Sequence, residues 1–412
     1  MSSAVPAGPG VPRAFHVLAK PTGAVCNLDC SYCFFLSKEV LYPGSTFRMA
    51  DDILAAYLSQ LIEAHAHAPE VVVAWQGGEP TMMGLDFFRR AVGLAETLAR
   101  PDQRLLHTMQ TNGTLLTDEW GEFLAEKGFL VGLSIDGPQD VHDAYRVNKA
   151  GRGSFHQVIG GLAVLRRHGV EWNALTTVHA VNEHRGREVY RFLRDDCGAR
   201  YLQFIPIIER TTGHGSETKW GRTEQVYVNQ GEAMTDRSVS PAGYGRFLVD
   251  VFEDWKRSDV GTVFIQMFDA ALANWYGEPS SLCVHSETCG LAVALEHTGD
   301  VYSCDHYVDP AHRLGNIRER PLLELIVLPA QKRFGADKRD ALPAQCRGCD
   351  VRFACHGGCP KDRVNRPGAP AGLNYLCPSY QHFFHHIRPA MAAMCDLLRA
   401  GRAPSEFMSA VC

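Results

Sequence analysis

Eleven of the fourteen cysteines in this 412-residue chain fall at spacings that suit metal binding. Cys26, Cys30 and Cys33 read C-x3-C-x2-C on one short stretch. Random placement would give such a triplet about 0.01 times, so chance is a poor account of it. Three thiolates on one loop can ligate three irons of a 4Fe–4S cluster and leave the fourth iron open. An open position on a metal centre is a place for chemistry. A zinc site that borrows a distant fourth ligand has compatible spacing, and this pattern alone does not exclude it.

Eight more patterned cysteines lie toward the C-terminus. Cys283 and Cys289 come first, and Cys289 to Cys304 reads C-x9-G-x4-C. Cys346, Cys349, Cys355 and Cys359 then read C-x2-C-x5-C-x3-C, followed by Cys377. Chance would give the four-cysteine run about 0.0004 times. Eight thiolates make two complete four-thiolate sites, either zinc ribbons or iron–sulfur clusters. Cys197, Cys395 and Cys412 fit no spacing and read as single buried or terminal thiols.

Such loops need elements to hold them. Short runs rich in β-branched and aromatic residues predict strands at His16–Lys20, Val71–Gln76, Leu106–Thr111, Phe129–Ile135, Trp172–His179 and Tyr201–Ile207. Between them, apolar residues recur at three- and four-residue spacing in Ala50–His67, Leu85–Leu98, Asp118–Lys127, Ser154–Arg167 and Arg187–Arg194. That alternation implies a parallel sheet with right-handed crossovers. Six units make an incomplete (β/α)6 barrel, open on one side. A polar loop over Thr211–Arg222 and amphipathic helices over Tyr244–Lys256 and Phe264–Tyr276 follow. From Ser280 the chain is dense in Cys, Gly and Pro and needs staples besides a core. The expected division is a tail over 1–13, a barrel over 14–230, a helical connector over 231–280, a cysteine-rich domain over 281–390 and a tail over 391–412.

Composition excludes several classes. Forty-five per cent hydrophobic and 21% charged residues are globular proportions, not disordered or fibrous ones. A net charge of −5 offers no basic excess for nucleic acid. There is no apolar run long enough to span a bilayer and no secretory-type N-terminus. We therefore expect a cytoplasmic protein with no nucleic-acid or membrane partner. In that compartment thiols stay reduced and patterned cysteines mean metal or catalysis.

The triplet after the first strand resembles the signature of radical S-adenosylmethionine (SAM) enzymes. Gln76-Gly-Gly-Glu-Pro80, after the second strand, is similar to that family's Gly-Gly-Glu-Pro motif. The resemblance implies that SAM chelates the open iron and that one electron cleaves it to a 5′-deoxyadenosyl radical. It implies SAM contacts from Tyr32, Gly78, Glu79, Ser134, Arg146 and Ile208. In this scheme Arg146 grips the carboxylate, Ser134 meets the ribose and Ile208 packs on the adenine. The later cysteines resemble the SPASM extension of the same superfamily. By that resemblance Cys283, Cys289, Cys304 and Cys359 hold one auxiliary 4Fe–4S cluster. Cys346, Cys349, Cys355 and Cys377 hold another, for three clusters in all.

From about Phe15 to Ile387 the chain is similar to the anaerobic sulfatase-maturating enzymes, most pointedly at Tyr302-Ser-Cys-Asp-His-Tyr307. The implied reaction oxidises a Cys or Ser in a C/S-x-P-x-R motif of an unfolded sulfatase to Cα-formylglycine. Asp305 is the implied base, an auxiliary cluster the implied electron sink, and a low-potential flavodoxin or ferredoxin the implied donor. The substrate arginine needs an acidic partner, for which Glu209, Glu217, Asp269 and Glu278 are candidates. His65 with His67, and His382 with His385 and His386, read as packing or surface groups. Cys359–Arg363 with Arg366 reads as a basic patch facing a reductant. Two other readings are a SPASM enzyme that crosslinks a different peptide and a zinc-stapled binding protein.

Overall fold

A computed structural model of the chain describes residues 12, 14–211, 231, 233–365 and 370–410. The loop expected over Thr211–Arg222, with Glu217 in it and apart from Thr211 itself, lies outside the described residues, as do Arg366, Cys412 and nearly all of the expected N-terminal tail.

Six parallel strands form the frame: β1 (His16–Lys20), β2 (Glu70–Trp75), β3 (Arg104–Thr111), β4 (Leu130–Ser134), β5 (Glu171–Val178) and β6 (Tyr201–Pro206). They pair in sequence order, each with the next. Helices cross back between them, as a parallel sheet requires. The helix Leu85–Leu98 buries Phe87, Phe88, Ala91, Val92 and Ala95, one face at helical spacing. Trp75 receives Tyr57, Phe87 and Phe88 edge-on at 5.7, 5.8 and 5.6 Å. Each such aromatic, once buried, contributes about 1.5–3 kcal/mol. With the sheet and its helices so packed, the C-terminal strand ends are fixed, and β1, β3 and β4 end there in Lys20, Thr111 and Ser134.

The six-strand frame stays open, as expected, but each of its edges carries further strands. The main sheet has ten strands. Beside β6 runs Phe264–Ile265, so the helix expected from Phe264 starts only at Gln266. Beside β1 runs Ala292–Glu296, parallel and in register from His16–Ala292 to Lys20–Glu296. Asp300–Tyr302 and Arg313–Asn316 extend it antiparallel. Unpaired strand edges are costly to leave exposed, and here the cysteine-rich region supplies the cover.

The C-terminal end also departs from expectation. The boundary placed at 391 falls inside a helix, Cys377–Arg399, which buries Met391, Met394 and Cys395. That helix packs on Gly243–Ser258 and Gln266–Tyr276, with Phe383 stacked on Phe268 at 5.7 Å. One hydrophobic core therefore runs from Val17 and Trp75 to Phe383 and Met394. Cys197 and Cys395 are buried single thiols.

Candidate functional site

The first cysteine loop leaves the end of β1 and is clamped by the turn after β2. The Gly78 N–H donates to the Gly23 carbonyl at 2.8 Å, and the Glu79 N–H to Val25 at 3.0 Å. A Cβ on Gly78 would lie 1.9 Å from the Val25 oxygen, so only glycine fits there. Glu79 is 0% exposed. Its carboxylate accepts from the Thr81 N–H and hydroxyl, the Thr111 hydroxyl and the Asn112 N–H, at 2.7–3.1 Å. With four protein donors on its carboxylate, Glu79 braces the loop that carries the first cysteines. Through it Asn112 is set 3.6 Å from the Cys26 sulfur.

Tyr32 and Arg146 meet on a residue without an expected role. Asp136, just past β4, takes the Arg146 fork at 2.9 and 3.1 Å, the Tyr32 hydroxyl at 2.5 Å and the Thr177 N–H at 2.9 Å. Burial works against its charge, but the Arg146 guanidinium outweighs that and holds its carboxyl well below the usual range. Arg146 makes this two-pronged contact through Nε and one terminal nitrogen of its guanidinium. His179, at the end of β5, stacks on Tyr32 at 6.0 Å and is 0% exposed. Burial lowers its pKa to about 4, so it is neutral beside this pair. Ser134 closes β4 and Ile208 follows β6, each 6% exposed.

Asp305 lies at the seam between the two halves of the chain. It follows Cys304, opens a short helical turn, and is buried. Its carboxylate pairs with Lys20, the last residue of β1, and accepts from the Gln76 amide at 3.1 Å. Burial pushes the carboxyl up, but Lys20 more than offsets this and the net shift is downward. Lys20 is 1% exposed and lies over the Phe35 ring at 3.9 Å, two residues past Cys33. Lys20, Gln76 and Asp305 thus connect both cysteine regions. The sequence offered one signal for Lys20: a charged residue closing an apolar strand, where barrel sites are built.

The patterned thiols sort into three neighbourhoods by mutual influence. Cys26, Cys30 and Cys33 act on one another. Cys304 feels Cys359 and Cys283, and Cys289 feels Cys283. Cys355 feels Cys377, Cys346 and Cys349, and these four line a single cavity. No disulfide joins the described cysteines. Burial pushes Cys26, Cys355 and Cys359 up to about 12. Bare thiols so placed stay protonated, and a cationic metal centre would hold them as thiolates. Among the described residues no three such side chains converge on the point one ion would occupy. Cys346, Cys349, Cys355 and Cys377 line one cavity, a four-thiolate lining that fits a cluster.

Other candidates resolve more simply. Glu209 is buried and spent on Arg237 at 2.8 Å and on the Thr235 hydroxyl. Asp269 and Glu278 are exposed, with no ion pair among the described residues. His65 caps Leu61, while His385 pairs with Asp350 and His386 with Glu253. The expected basic patch turns inward instead: Lys361 pairs with Asp362 at 2.5 Å, and Arg363 donates to the Lys338 carbonyl at 2.6 Å.

Comparison with known proteins agrees with this geometry. Residues 21–193 match the radical SAM superfamily, and residues 287–350 match an iron–sulfur cluster-binding domain, SPASM. A serine-type anaerobic sulfatase-maturating enzyme of Bacteroides thetaiotaomicron is 44% identical over 97% of this chain and 95% of its own. A cysteine-type enzyme of Clostridium perfringens is 30% identical over 91% of this chain and 96% of its own. A solved structure of native anSMEcpe with bound AdoMet and Cp18Cys peptide superimposes with a TM-score of 0.80 at 29% identity. It covers 93% of this chain and 99% of that one.

Proposed function

The chain belongs to the anaerobic sulfatase-maturating enzymes of the radical SAM superfamily, and from that premise we propose how its own residues convert a Ser or Cys side chain of a sulfatase to Cα-formylglycine. The observation that carries the proposal is Asp305, buried between Lys20 and Gln76 and directly after Cys304. When bound, SAM on the first cluster supplies a radical that removes one Cβ hydrogen, and the auxiliary clusters supply a sink for one electron.

The remaining work falls to the protein. Cys26, Cys30 and Cys33 would hold the first cluster. Cys283, Cys289, Cys304 and Cys359 would hold the second, and Cys346, Cys349, Cys355 and Cys377 the third. The Gly78 N–H is committed to Gly23, which leaves its carbonyl to accept from the SAM ammonium. Tyr32, Arg146 and Asp136 form the rigid wall beside Cys30, and Ser134 and Ile208 close the strand ends around the nucleoside. Asp305 receives the proton of the substrate hydroxyl or thiol. Gln76 fixes the orientation of its carboxylate, and Lys20 keeps the charge compensated in a buried place.

The higher identity to the serine-type relative supports serine as the preferred target. An extended peptide is the substrate form, and Asp269 and Glu278 are the candidates left among the described residues for its arginine. A low-potential donor such as flavodoxin or ferredoxin would reduce the first cluster. Among the described residues no helix is long and apolar enough to cross a membrane. Eleven thiols that must stay reduced favour the cytoplasm.

The test is anaerobic reconstitution followed by turnover of S-x-P-x-R and C-x-P-x-R peptides. We expect about twelve irons, 5′-deoxyadenosine, and products lighter by about 2 Da from serine and about 18 Da from cysteine. Deoxyadenosine with both peptides unchanged would move the substrate to another precursor class. Zinc in place of iron would overturn the reading.

A further inference from the structure

The helix Pro329–Asp340 has an unusual inner face. Its buried residues are Gln331, Gly335 and Lys338, none of them a large apolar side chain. A helix is ordinarily held down by an apolar stripe. This one is held by the cysteine region. A Cβ on Gly335 would lie 2.3 Å from the Cys289 carbonyl oxygen, and the Cys289 N–H donates to the Gly335 carbonyl at 3.2 Å. Gln331 donates to the Gly290 and Ser303 carbonyls at 2.8 and 3.0 Å. The helix therefore lies flat on the backbone that carries Cys289 and Cys304.

Lys338 follows Gly335 by one turn and is 0% exposed. Its ammonium donates to the Ser286 carbonyl, midway between Cys283 and Cys289 in the chain. Among the described residues no carboxylate pairs with it. The sulfurs of Cys289, Cys283 and Cys359 lie around it, and they become opposite charges once they hold a cluster as thiolates. Arg363 adds a second cation. It donates to the Lys338 carbonyl at 2.6 Å, faces Cys346, Cys359 and Cys289, and buries an Nε that has no hydrogen-bond partner. A buried ammonium without a counter-charge is strongly disfavoured, so this arrangement needs an anion at that place.

We propose that Lys338 and Arg363 set the reduction potential of the auxiliary cluster held by Cys283, Cys289, Cys304 and Cys359, and so make it an electron acceptor. This rests on the cluster assignment above. A 4Fe–4S cluster with four thiolates is anionic, and accepting one electron adds one more negative charge. A fixed cation in a low-dielectric site stabilises the more negative state and raises the potential. The balance is simple. The substrate loses a hydrogen atom to the adenosyl radical, a proton to Asp305 and an electron to this cluster, which is two hydrogens in all.

The experiment compares reconstituted wild type with Lys338→Met, Lys338→Arg and Arg363→Gln by iron content and EPR-monitored redox titration of each cluster. In Lys338→Met the reduced-to-oxidised ratio of this cluster at a fixed potential should fall at least tenfold, which is 59 mV for a one-electron couple. Lys338→Arg should restore it, Arg363→Gln should lower both auxiliary clusters by less, and the first cluster should not move. Aldehyde formed per deoxyadenosine should fall in Lys338→Met. Full iron with unmoved potentials in Lys338→Met would mean that Lys338 only packs, and would overturn the proposal. Should that variant lose iron, unmoved auxiliary potentials in Arg363→Gln would overturn it instead. Fewer than about twelve irons in the wild type would sink the cluster assignment itself, and the proposal with it.

Discussion

Both cysteine regions contain a buried cation, and the chain treats the two differently. Beside Cys30, Arg146 is answered by Asp136 with two hydrogen bonds, and Glu79 adds a further buried carboxylate near Cys26. Beside Cys283 and Cys289, Lys338 has only a carbonyl and the sulfurs themselves. The difference follows what each centre must do. A cluster that reduces SAM must give up its electron, so positive charge nearby is cancelled. A cluster that takes an electron from substrate gains from positive charge left uncancelled. One fold thus answers Arg146 with a carboxylate and leaves Lys338 without one.

The strongest test of that division removes ligands one region at a time. Cys30→Ala should abolish both deoxyadenosine and aldehyde and cost about a third of the iron. Cys289→Ala should leave SAM cleavage intact and abolish aldehyde. Chromatography for deoxyadenosine and peptide mass measure both. Aldehyde at wild-type rate from Cys289→Ala would end the comparison, because the second region would then have no part in turnover.

Asp305 sits between the regions, so its loss should separate their products. In Asp305→Asn we expect aldehyde to fall about 100-fold or more while deoxyadenosine continues, since a positioned base contributes about that much. Equal loss of both products, with iron retained, would place Asp305 with SAM rather than with substrate.

The third test makes the first site resemble the second. Asp136→Asn removes the carboxylate that answers Arg146 and leaves the guanidinium buried without a partner. Breaking such a pair costs about 3–5 kcal/mol, read as a lower apparent melting temperature of the reconstituted enzyme. The potential of the first cluster should rise and SAM cleavage should slow. An unchanged potential would show that the paired carboxylate stabilises the fold and nothing else.

How far all this was legible depends on where each residue's partners lie. The six barrel strands and the cysteine sets were readable because strand alternation and ligand spacing are local signals. Ala292–Glu296 was not, since its partner is β1, far back in the chain. Phe264–Ile265 is two residues long and merges with the helix that follows. Helix Pro329–Asp340 escaped because its inward face is Gln, Gly and Lys, which apolar periodicity cannot detect. Motif likeness pointed to Arg146 and Glu79, but their protein partners, Asp136 and the Thr81–Asn112 donors, are visible only in the fold. Lys338 was hidden because a lysine reads as surface until its burial is seen, and Lys20 offered only its place at the end of an apolar strand.

The smallest expected effect probes how Lys338 is delivered. Gly335→Ala keeps every charge but puts a methyl group against the Cys289 carbonyl, at 2.3 Å before relaxation. The contact is with backbone, so the helix must lift rather than a side chain swing away. Overpacking of this kind costs about 1–3 kcal/mol. The apparent melting temperature should drop modestly, and iron should be retained because no ligand is touched. Lifting the helix also draws the ammonium away from Cys283 and Cys289. The auxiliary potential should therefore fall in the same direction as in Lys338→Met, by less. A full-sized fall would mean that close approach of the helix, not the lysine charge, controls the cluster. No fall at all, with the stability loss present, would mean that the lysine stem follows the sulfurs independently of its helix.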